Sequence, residues 1–262
     1  MTAVPRVVLA GGRASPELAA KIHHSIRAMA VYRGKRLLDY VVEALAASDS
    51  SAPIVVVGEV PDSADYRRVP DQGDFVSNIV AGVRAFEGSE WVVVTSVDMP
   101  YLTDAIVSNF VESAIELGTA TNSELVYPIV RVADCYARYP KLKRTAIKLR
   151  EGEFTGGNMV LVRPGFILKS REVIESTYAA RKHPFRLAAM LGMTTILRLA
   201  ISQTISSSAL SIAMLEEKVG GLVNGKVAAL ISRDPEIATD LDRPSDFEGA
   251  EAREPAEQPG SI

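Results

Sequence analysis

The stretch Val7-Val8-Leu9-Ala10-Gly11-Gly12-Arg13 decides the fold that we predict for this chain. A short apolar run is followed at once by two glycines, which is typical of a buried strand that ends in a tight turn. Because glycine has no Cβ, such a turn lets backbone N–H groups approach a phosphate or a base closely. A ligand-binding loop and an ordinary strand-ending turn are both consistent with this stretch when it is taken alone.

Short apolar runs and longer amphipathic segments alternate along the first half of the chain. Parallel strands need crossover connections, so this alternation predicts a mainly parallel sheet with helices on both faces. We therefore predict an α/β fold of the three-layer α/β/α, Rossmann-like type, with LVYPIV and NMVLV as later strands of a mixed sheet. The predicted strands of the first half cover residues 7–9, 54–57 and 91–97, and the predicted helices cover residues 37–47, 78–86 and 103–117.

Two segments near the C-terminus differ from this pattern. Residues 171–218 are predicted to form a C-terminal helical appendage, inserted into a single domain at 1–248. The tail at 249–262 is acidic and poor in large apolar groups, so it cannot offset its own ordering entropy and is predicted to be disordered. The apolar stretch 184–215 is interpreted as packed helix, with peripheral membrane contact or a homodimer interface as the alternatives.

The composition excludes several functional classes. With a net charge of -3, the 262-residue chain has no excess of lysine and arginine with which to bind nucleic acid. The single cysteine, Cys135, cannot form an intramolecular disulfide and indicates a reducing compartment. We read no signal peptide at the N-terminus and no transmembrane segment. We therefore expect a cytoplasmic protein that does not bind nucleic acid.

Acidic residues are the second feature that points to a ligand. Asp98 follows the predicted strand at 91–97, so it faces the sheet edge where open α/β folds bind their ligands. Carboxylate oxygens suit a Mg²⁺ ion that bridges phosphates. Asp240 and Asp242 could lie on one side of an extended strand and complete a metal site with Asp98. Asp98 and Asp246 also have a simpler interpretation as helix caps.

The order of these motifs resembles the nucleoside-triphosphate transferase superfamily, which includes MobA-like guanylyltransferases and sugar-1-phosphate nucleotidylyltransferases. Leu9-Ala10-Gly11-Gly12 is similar to the L-A-[AG]-G nucleotide loop of that family, and Gly34-Lys35-Arg36-Leu37-Leu38 is similar to its G-K-P-L-L stretch. Asp98-Met99-Pro100 matches its D-x-P metal motif, and the late acidic run supplies Asp240 and Asp242. The resemblance implies a nucleotidyltransferase (GT-A-like) fold with Mg²⁺ as cofactor.

The resemblance also implies a role for individual residues. Arg27 stands where the family has a lysine that contacts the triphosphate, and residues 15–25 lengthen the loop before it. Arg27 and Lys35 would therefore stabilise the triphosphate and the leaving group, and Asp98 would hold the metal. The nucleotide would be bound by Leu9, Ala10, Gly11, Gly12, Ser77, Asn78 and Gly82, although Ser77 also fits a helix cap.

The acceptor side is placed, through the same resemblance, in the stretch FTGGN. Thr155, Gly157 and Asn158 would line the acceptor, and Lys148 and Arg150 would bind an acceptor phosphate or form a solvated basic face. We predict a Mg²⁺-dependent nucleotidyltransferase that transfers NMP from an NTP, CTP or GTP above all, to a phosphorylated small molecule and releases pyrophosphate. The alternatives are a GT-A-type glycosyltransferase that uses a nucleotide-sugar and an inactive nucleotide-binding regulatory protein.

Overall fold

The computed structural model of the chain describes residues 3–180, 201–204 and 207–249. Within these residues the chain forms a nine-stranded mixed sheet with helices on both faces and a separate two-stranded hairpin. The α/β class and the mixed, mainly parallel sheet are therefore confirmed. The strands are β1 (Arg6–Leu9), β2 (Val31–Tyr32), β3 (Lys35–Arg36), β4 (Ile54–Val57), β5 (Arg67–Val69), β6 (Val92–Ser96), β7 (Leu125–Arg131), β8 (Ile147–Leu149), β9 (Gly152–Gly156), β10 (Met159–Val162) and β11 (Val227–Ser232).

The helices that follow these strands supply the crossovers that a parallel sheet requires. Within the described residues, three short 3₁₀ helices, Arg27–Met29, Ser207–Ala209 and Pro235–Ala238, lie in connections. The described α-helices are α1 (Pro16–Ile22), α2 (Leu37–Ser48), α3 (Phe75–Arg84), α4 (Asp104–Thr121), α5 (Val132–Arg138), α6 (Pro164–Lys169), α7 (Arg171–Ala180), α8 (Ile212–Val223) and α9 (Pro244–Gly249).

The first half of the sheet is parallel and runs in the order β5-β4-β1-β6. Val7 of β1 pairs with Val55 on one side and with Val94 on the other. At the carboxyl end of the strands, Leu9 pairs with Ser96. The loops that follow β1 and β6 therefore leave the sheet side by side, which brings the glycine turn and Asp98 to one edge.

The second half of the sheet is built around β7. On one side of β7, β10 pairs with the first residues of β7 and β9 pairs with its last residues, and both pairings are antiparallel. On the other side of β7, β11 pairs in parallel. The chain bends between β9 and β10, and Pro128 lies between the two paired stretches of β7. Because proline lacks an N–H, it is tolerated where the ladder is interrupted in this way.

The core has two layers because side chains on a strand alternate between faces. Val8 and Val56 contribute to the cluster that α2 and α4 cover. Val7 and Val55 point to the opposite face, where α3 and α6 cover them. The strands in the parallel half are thus buried on both faces, which explains their continuous apolar runs.

The glycine that follows β4 packs closely against the turn that follows β1, so a residue with a side chain does not fit at this position. A Cβ at Gly58 would lie 2.6 Å from the backbone carbon of Ala10 and 2.9 Å from the backbone nitrogen of Gly11. We expect Gly58→Ala to lower the free energy of unfolding by about 2–3 kcal/mol, since backbone atoms cannot rotate away from the clash. Gly88→Ala is the control, because nothing lies within 4 Å of its Cβ position. Urea unfolding of both variants measures the difference, and equal stabilities would contradict this account of the packing.

Parts of the predicted appendage and tail lie outside the described residues, namely 181–200, 205–206 and 250–262. Most of the apolar stretch 184–215 falls among them, so the membrane and homodimer interpretations stay predictions, as does the division into a domain at 1–248 with an insertion. The described chain enters this region through α6 and α7 and leaves it through α8 into β11. Among the described helices, none has both the length and the apolar character needed to span a membrane.

Candidate active site

The glycine turn after β1 forms one wall of a cleft of about 470 Å³ at the carboxyl edge of the sheet. Leu9, Gly11 and Gly12 line the cleft, whereas Ala10 is fully buried and its N–H donates to Val57 O at 2.8 Å. A Cβ at Gly11 would lie 2.4 Å from a carboxylate oxygen of Asp71. Gly11 is therefore required by close packing, and Ala10 holds the turn from behind instead of facing a ligand.

The long segment after Gly12 is folded and returns to the turn. Ser15 caps α1, with its Oγ accepting from Leu18 N at 3.2 Å. After α1 the chain runs back beside the turn, and Arg27 N donates to Gly12 O at 3.1 Å. The segment at 15–25 thus contains a helix, and Arg27 lies next to the glycine turn, while its contact with the triphosphate stays a prediction.

Asp98 lies at the centre of the cleft and is 5% exposed. Its Oδ1 accepts from Ser96 Oγ at 2.6 Å, and its Oδ2 accepts from Arg27 Nη1 at 2.6 Å. The second terminal nitrogen of Arg27, Nη2, lies 2.7 Å from Asp242 Oδ1. The helix-cap interpretation does not apply to Asp98, because Thr103 caps α4. Arg27 therefore bridges one carboxylate from each of two distant parts of the chain.

The aspartates of the late acidic run reach this point through a backbone contact. Leu241 N donates to Asp98 O at 2.9 Å, which places Asp240 and Asp242 on either side of the bond. Burial, followed by the charges of Asp98 and Asp242, raises the pKa of Asp240 to about 6. Burial alone would lower the pKa of Arg27, but the neighbouring carboxylates raise it above its ordinary value. Asp98 in the cleft lining, with Asp240 and Asp242 beside it, thus forms an acidic cluster that is neutralised in part by one arginine.

The structure corrects the prediction of a ready three-aspartate metal site. Among residues 3–180, 201–204 and 207–249, no group of three His, Cys, Asp or Glu side chains is placed to hold a metal ion. The reason is that the Arg27 guanidinium takes the position between Asp98 and Asp242. The donor chemistry still suits a hard cation, because Asp98, Asp240 and Asp242 bring carboxylate oxygens together at one point. A metal at Asp98 would have to displace Arg27 from it.

The segment predicted to close around the nucleotide has a different role at each position. Asn78 is buried and organises the neighbouring loop, since its Nδ2 donates to Asp71 Oδ1 at 2.7 Å and its Oδ1 accepts from Gln72 N at 2.8 Å. Asp74, not Ser77, caps α3. Gly82 packs on β1, where a Cβ would lie 2.3 Å from Val7 Cγ1. Gly82 and Ser77 are therefore absent from the described cleft lining, whereas Asn78 contributes to it.

Lys35 also lies away from the cleft. It belongs to the β2–β3 hairpin, whose two turn residues Arg33 and Gly34 have positive φ angles of 48° and 83°. Its Nζ pairs with Glu43 and lies 4.6 Å from the centre of the Tyr40 ring. The hairpin turn thus directs Lys35 to the surface of α2, outside the described cleft lining, and its contact with the triphosphate stays a prediction. Besides Arg27, the described cleft lining contains a second cationic side chain, Arg13.

A second, polar cavity of about 480 Å³ adjoins the acidic cluster. Thr155 and Asn158 line it together with Asp240 and Asp242, and their contact with an acceptor stays a prediction. Gly157 serves packing, because a Cβ there would lie 2.7 Å from Ile237 Cγ2. The cavity lies where the chain bends between β9 and β10, directly beyond Asp98.

The predicted phosphate-binding residues of the acceptor side are not in this lining. Lys148 alternates with the inward residues Ile147 and Leu149, so its exposed side chain points to the other face of β8. Arg150 donates to Ser208 O at 3.2 Å and ties down the connection before α8. Both residues fit the simpler interpretation as structural or solvated cations.

Several lining residues escaped the sequence reasoning. Arg144 lines the polar cavity and donates to Ala238 O and Thr239 Oγ1, and its buried Nε has no hydrogen-bond partner among the described residues. Tyr178 of α7 lines the nucleotide-loop cleft, where its ring stacks on Phe75 at 4.8 Å. No local pattern points to these contacts. Ser96 was detectable, since it stands two residues before Asp98 on the same strand end.

Comparison with known proteins adds a family and a set of similar folds. The family model "MobA-like NTP transferase domain" matches residues 6–155. A hypothetical transferase from Thermus thermophilus is 33% identical with a TM-score of 0.80, covering 94% of this chain and 100% of that chain. None of the curated proteins matches this sequence.

Two more distant structures are similar in fold alone. A nucleotidyl transferase from Methanothermobacter thermautotroptrophicus is 14% identical with a TM-score of 0.53, covering 95% of this chain and 95% of that chain. CMP:2-keto-3-deoxy-manno-octonic acid synthetase complexed with CTP is 9% identical with a TM-score of 0.54, covering 95% of this chain and 97% of that chain. The architecture described above therefore recurs in enzymes that transfer nucleotides.

Proposed function

This chain belongs to the MobA-like NTP transferase family, and from that premise we propose that it transfers NMP from an NTP to a phosphorylated small molecule, with Mg²⁺ as cofactor. The observation that carries the proposal is the meeting of the Gly11-Gly12 turn, Arg27 and Asp98 in one cleft. The turn offers backbone N–H groups to phosphate oxygens, and the two charged residues lie where the triphosphate would end.

The proposed reaction is an in-line displacement at the α-phosphorus. An oxygen of the acceptor phosphate forms a new bond to the α-phosphorus while the bond to the oxygen that bridges the α- and β-phosphates breaks, and that oxygen leaves with pyrophosphate. Such a step needs no covalent enzyme intermediate, because positioning and neutralisation of charge lower most of the barrier. When bound, Mg²⁺ would neutralise negative charge on the phosphate oxygens.

We assign the cation and the triphosphate to the cleft residues and the acceptor to the polar cavity. In our proposal Asp98, with Asp242 or Asp240, holds the cation, and Arg27 turns from these carboxylates to the triphosphate. The polar cavity beside them, lined by Thr155 and Asn158, receives the acceptor. The acceptor phosphate then lies next to the acidic cluster, on the side opposite the glycine turn.

The identity of the NTP base is a further part of the proposal. CTP is favoured because the similar synthetase was solved in complex with CTP, and GTP is the second candidate because of the family name. The fold similarity is compatible with either base. One observation supports the alternative of an inactive nucleotide-binding protein: the Arg27 guanidinium lies between Asp98 and Asp242.

A pyrophosphate-release screen tests this function. The full chain is incubated with each of the four NTPs, Mg²⁺ and a panel of phosphorylated acceptors, and we expect release with one NTP that depends on both acceptor and metal. Omission of Mg²⁺ with added chelator is the control. Release of nucleoside diphosphate from a nucleotide-sugar would instead indicate a glycosyltransferase. NTP binding without turnover on any acceptor would indicate the regulatory alternative.

A further inference from the structure

An apolar cavity of about 580 Å³ lies next to the polar cavity. It is large enough for a substantial part of a small molecule. Its charged lining residue among those the structure describes is Glu216, whose Oε1 accepts from Ala229 N at 2.7 Å. The described residues that line it include Leu125, Ile129, Leu149, Phe154, Ile212 and Leu215.

The cavity follows from the way the second half of the sheet is covered. Leu125, Tyr127 and Ile129 alternate along β7 and therefore share one face of the sheet. Opposite them, α8 presents Leu215 and Val219, one helical turn apart. Tyr127 and Val219 remain 39% and 40% exposed, which leaves large apolar groups in contact with solvent at the cavity. A ligand that buried these groups would gain hydrophobic stabilisation.

The apolar cavity and the polar cavity share part of their lining. Tyr127, Thr145, Thr155 and Gly156 contribute to both. A Cβ at Gly156 would lie 2.2 Å from the Tyr127 hydroxyl, so the glycine leaves room for this hydroxyl at the junction. Tyr127 lines both cavities, so its ring lies at the boundary between the apolar lining and the acidic cluster.

The chemistry therefore changes from ionic to apolar along one continuous lining. The polar side has Asp240, Asp242 and Arg144, whereas the far side is made of aliphatic and aromatic groups. We propose that the acceptor is amphipathic, with its phosphorylated end in the polar cavity and a hydrocarbon chain or ring in the apolar cavity. This inference rests on the proposed function, because it gives the acceptor of that reaction its chemical class.

A series of alkyl phosphates tests the inference by binding alone. Ethyl, butyl, hexyl and octyl phosphate, each kept below its micelle-forming concentration, are titrated into the full chain by calorimetry. Octyl phosphate has six more methylenes than ethyl phosphate, and each that enters the cavity should tighten binding about two- to fourfold, so octyl phosphate should bind at least about 60-fold more tightly. Equal affinities across the series would overturn the proposal.

Two variants and a matched control locate the effect. Val219→Glu places a carboxylate at the cavity and should weaken octyl phosphate at least tenfold while leaving ethyl phosphate within about twofold. Ile231→Glu is the control, since Ile231 is 42% exposed and outside the described lining of this cavity. Ala229→Phe fills the cavity from β11 and should weaken octyl more than butyl phosphate. An equal effect of Val219→Glu and Ile231→Glu would count against the cavity as the binding site.

The two proposals can fail separately. If octyl phosphate binds as expected but no NTP yields pyrophosphate with any acceptor, the proposed function fails while the amphipathic site stands. If pyrophosphate release is found with short acceptors and the alkyl series is flat, the function stands and the inference about the acceptor is overturned. Thermal melting of each variant shows that a loss of binding is not a loss of fold.

Discussion

Asp98→Asn is expected to lower NTP-dependent turnover by at least 100-fold. Asparagine keeps the volume of the side chain and an acceptor for Ser96 Oγ, but it removes the charge that would attract a cation and that now pairs with Arg27. Loss of one group that stabilises charge in a transition state costs on the order of 10²–10³ in rate. Initial rates of pyrophosphate release at saturating NTP and Mg²⁺ measure the effect.

Asp104→Asn is the matched control for this prediction. Asp104 is exposed and lies in the first turn of α4, a short distance along the chain from Asp98. Its loss should change turnover by less than about twofold, because a helix-dipole contact contributes only about 0.3–1 kcal/mol to stability. Full activity of Asp98→Asn, with the control also active, would refute the role of Asp98 in holding a cation.

Arg27→Ala is expected to have two opposite effects. Turnover should fall on the order of 10²-fold, because the triphosphate loses its bidentate cation. In the nucleotide-free protein, however, Mn²⁺ should bind about tenfold more tightly, since the competing positive charge between Asp98 and Asp242 is gone. A unit charge about 4 Å away interacts by about 1 kcal/mol in water and by more in a partly buried site. Calorimetric or EPR titration with Mn²⁺ measures the second effect without any turnover.

Two further variants separate charge from geometry at this position. Arg27→Lys keeps the charge but lacks the planar fork that spans both carboxylates, so its metal affinity should fall between those of the other two proteins. Arg67→Ala removes an exposed arginine from the edge strand β5 and should change neither property. Unchanged Mn²⁺ affinity in Arg27→Ala would show that the arginine does not compete with the metal.

The part of the site predicted from the sequence is the part that strand order determines. The carboxyl ends of neighbouring parallel strands meet at one edge, so a glycine turn after one apolar run and an aspartate after another had to be close. Asp240 and Asp242 were expected near Asp98 from their spacing on an extended segment and from the family resemblance, and their contact with Asp98 runs through a backbone hydrogen bond that no local pattern encodes. The late segment could therefore be assigned to the site but not oriented within it.

The predicted site residues that lie outside the described cavity linings depend on contacts that a linear pattern does not contain. The two hairpin residues with positive φ direct Lys35 away from the cleft, and its side chain pairs with Glu43 of α2. Lys148 follows the alternation of a strand whose bounds the sequence left open. Gly82 matched a position expected to face a ligand, yet its absence of a Cβ serves the packing of α3 on Val7.

The bridge from Arg27 to Asp98 and Asp242 has a consequence for how the site forms. Its three members come from the first, middle and last parts of the chain, so the contact between Arg27 and Asp242 has a very large sequence separation, and contacts of this kind are slow to form. During synthesis the glycine turn and Asp98 can assemble as soon as β1 and β6 pair, whereas Arg27 gains its second partner only after β11 has joined the sheet. In a nascent chain, the glycine turn and Asp98 are therefore available at this edge before Asp240 and Asp242 complete the acidic cluster and Arg27 gains its second carboxylate.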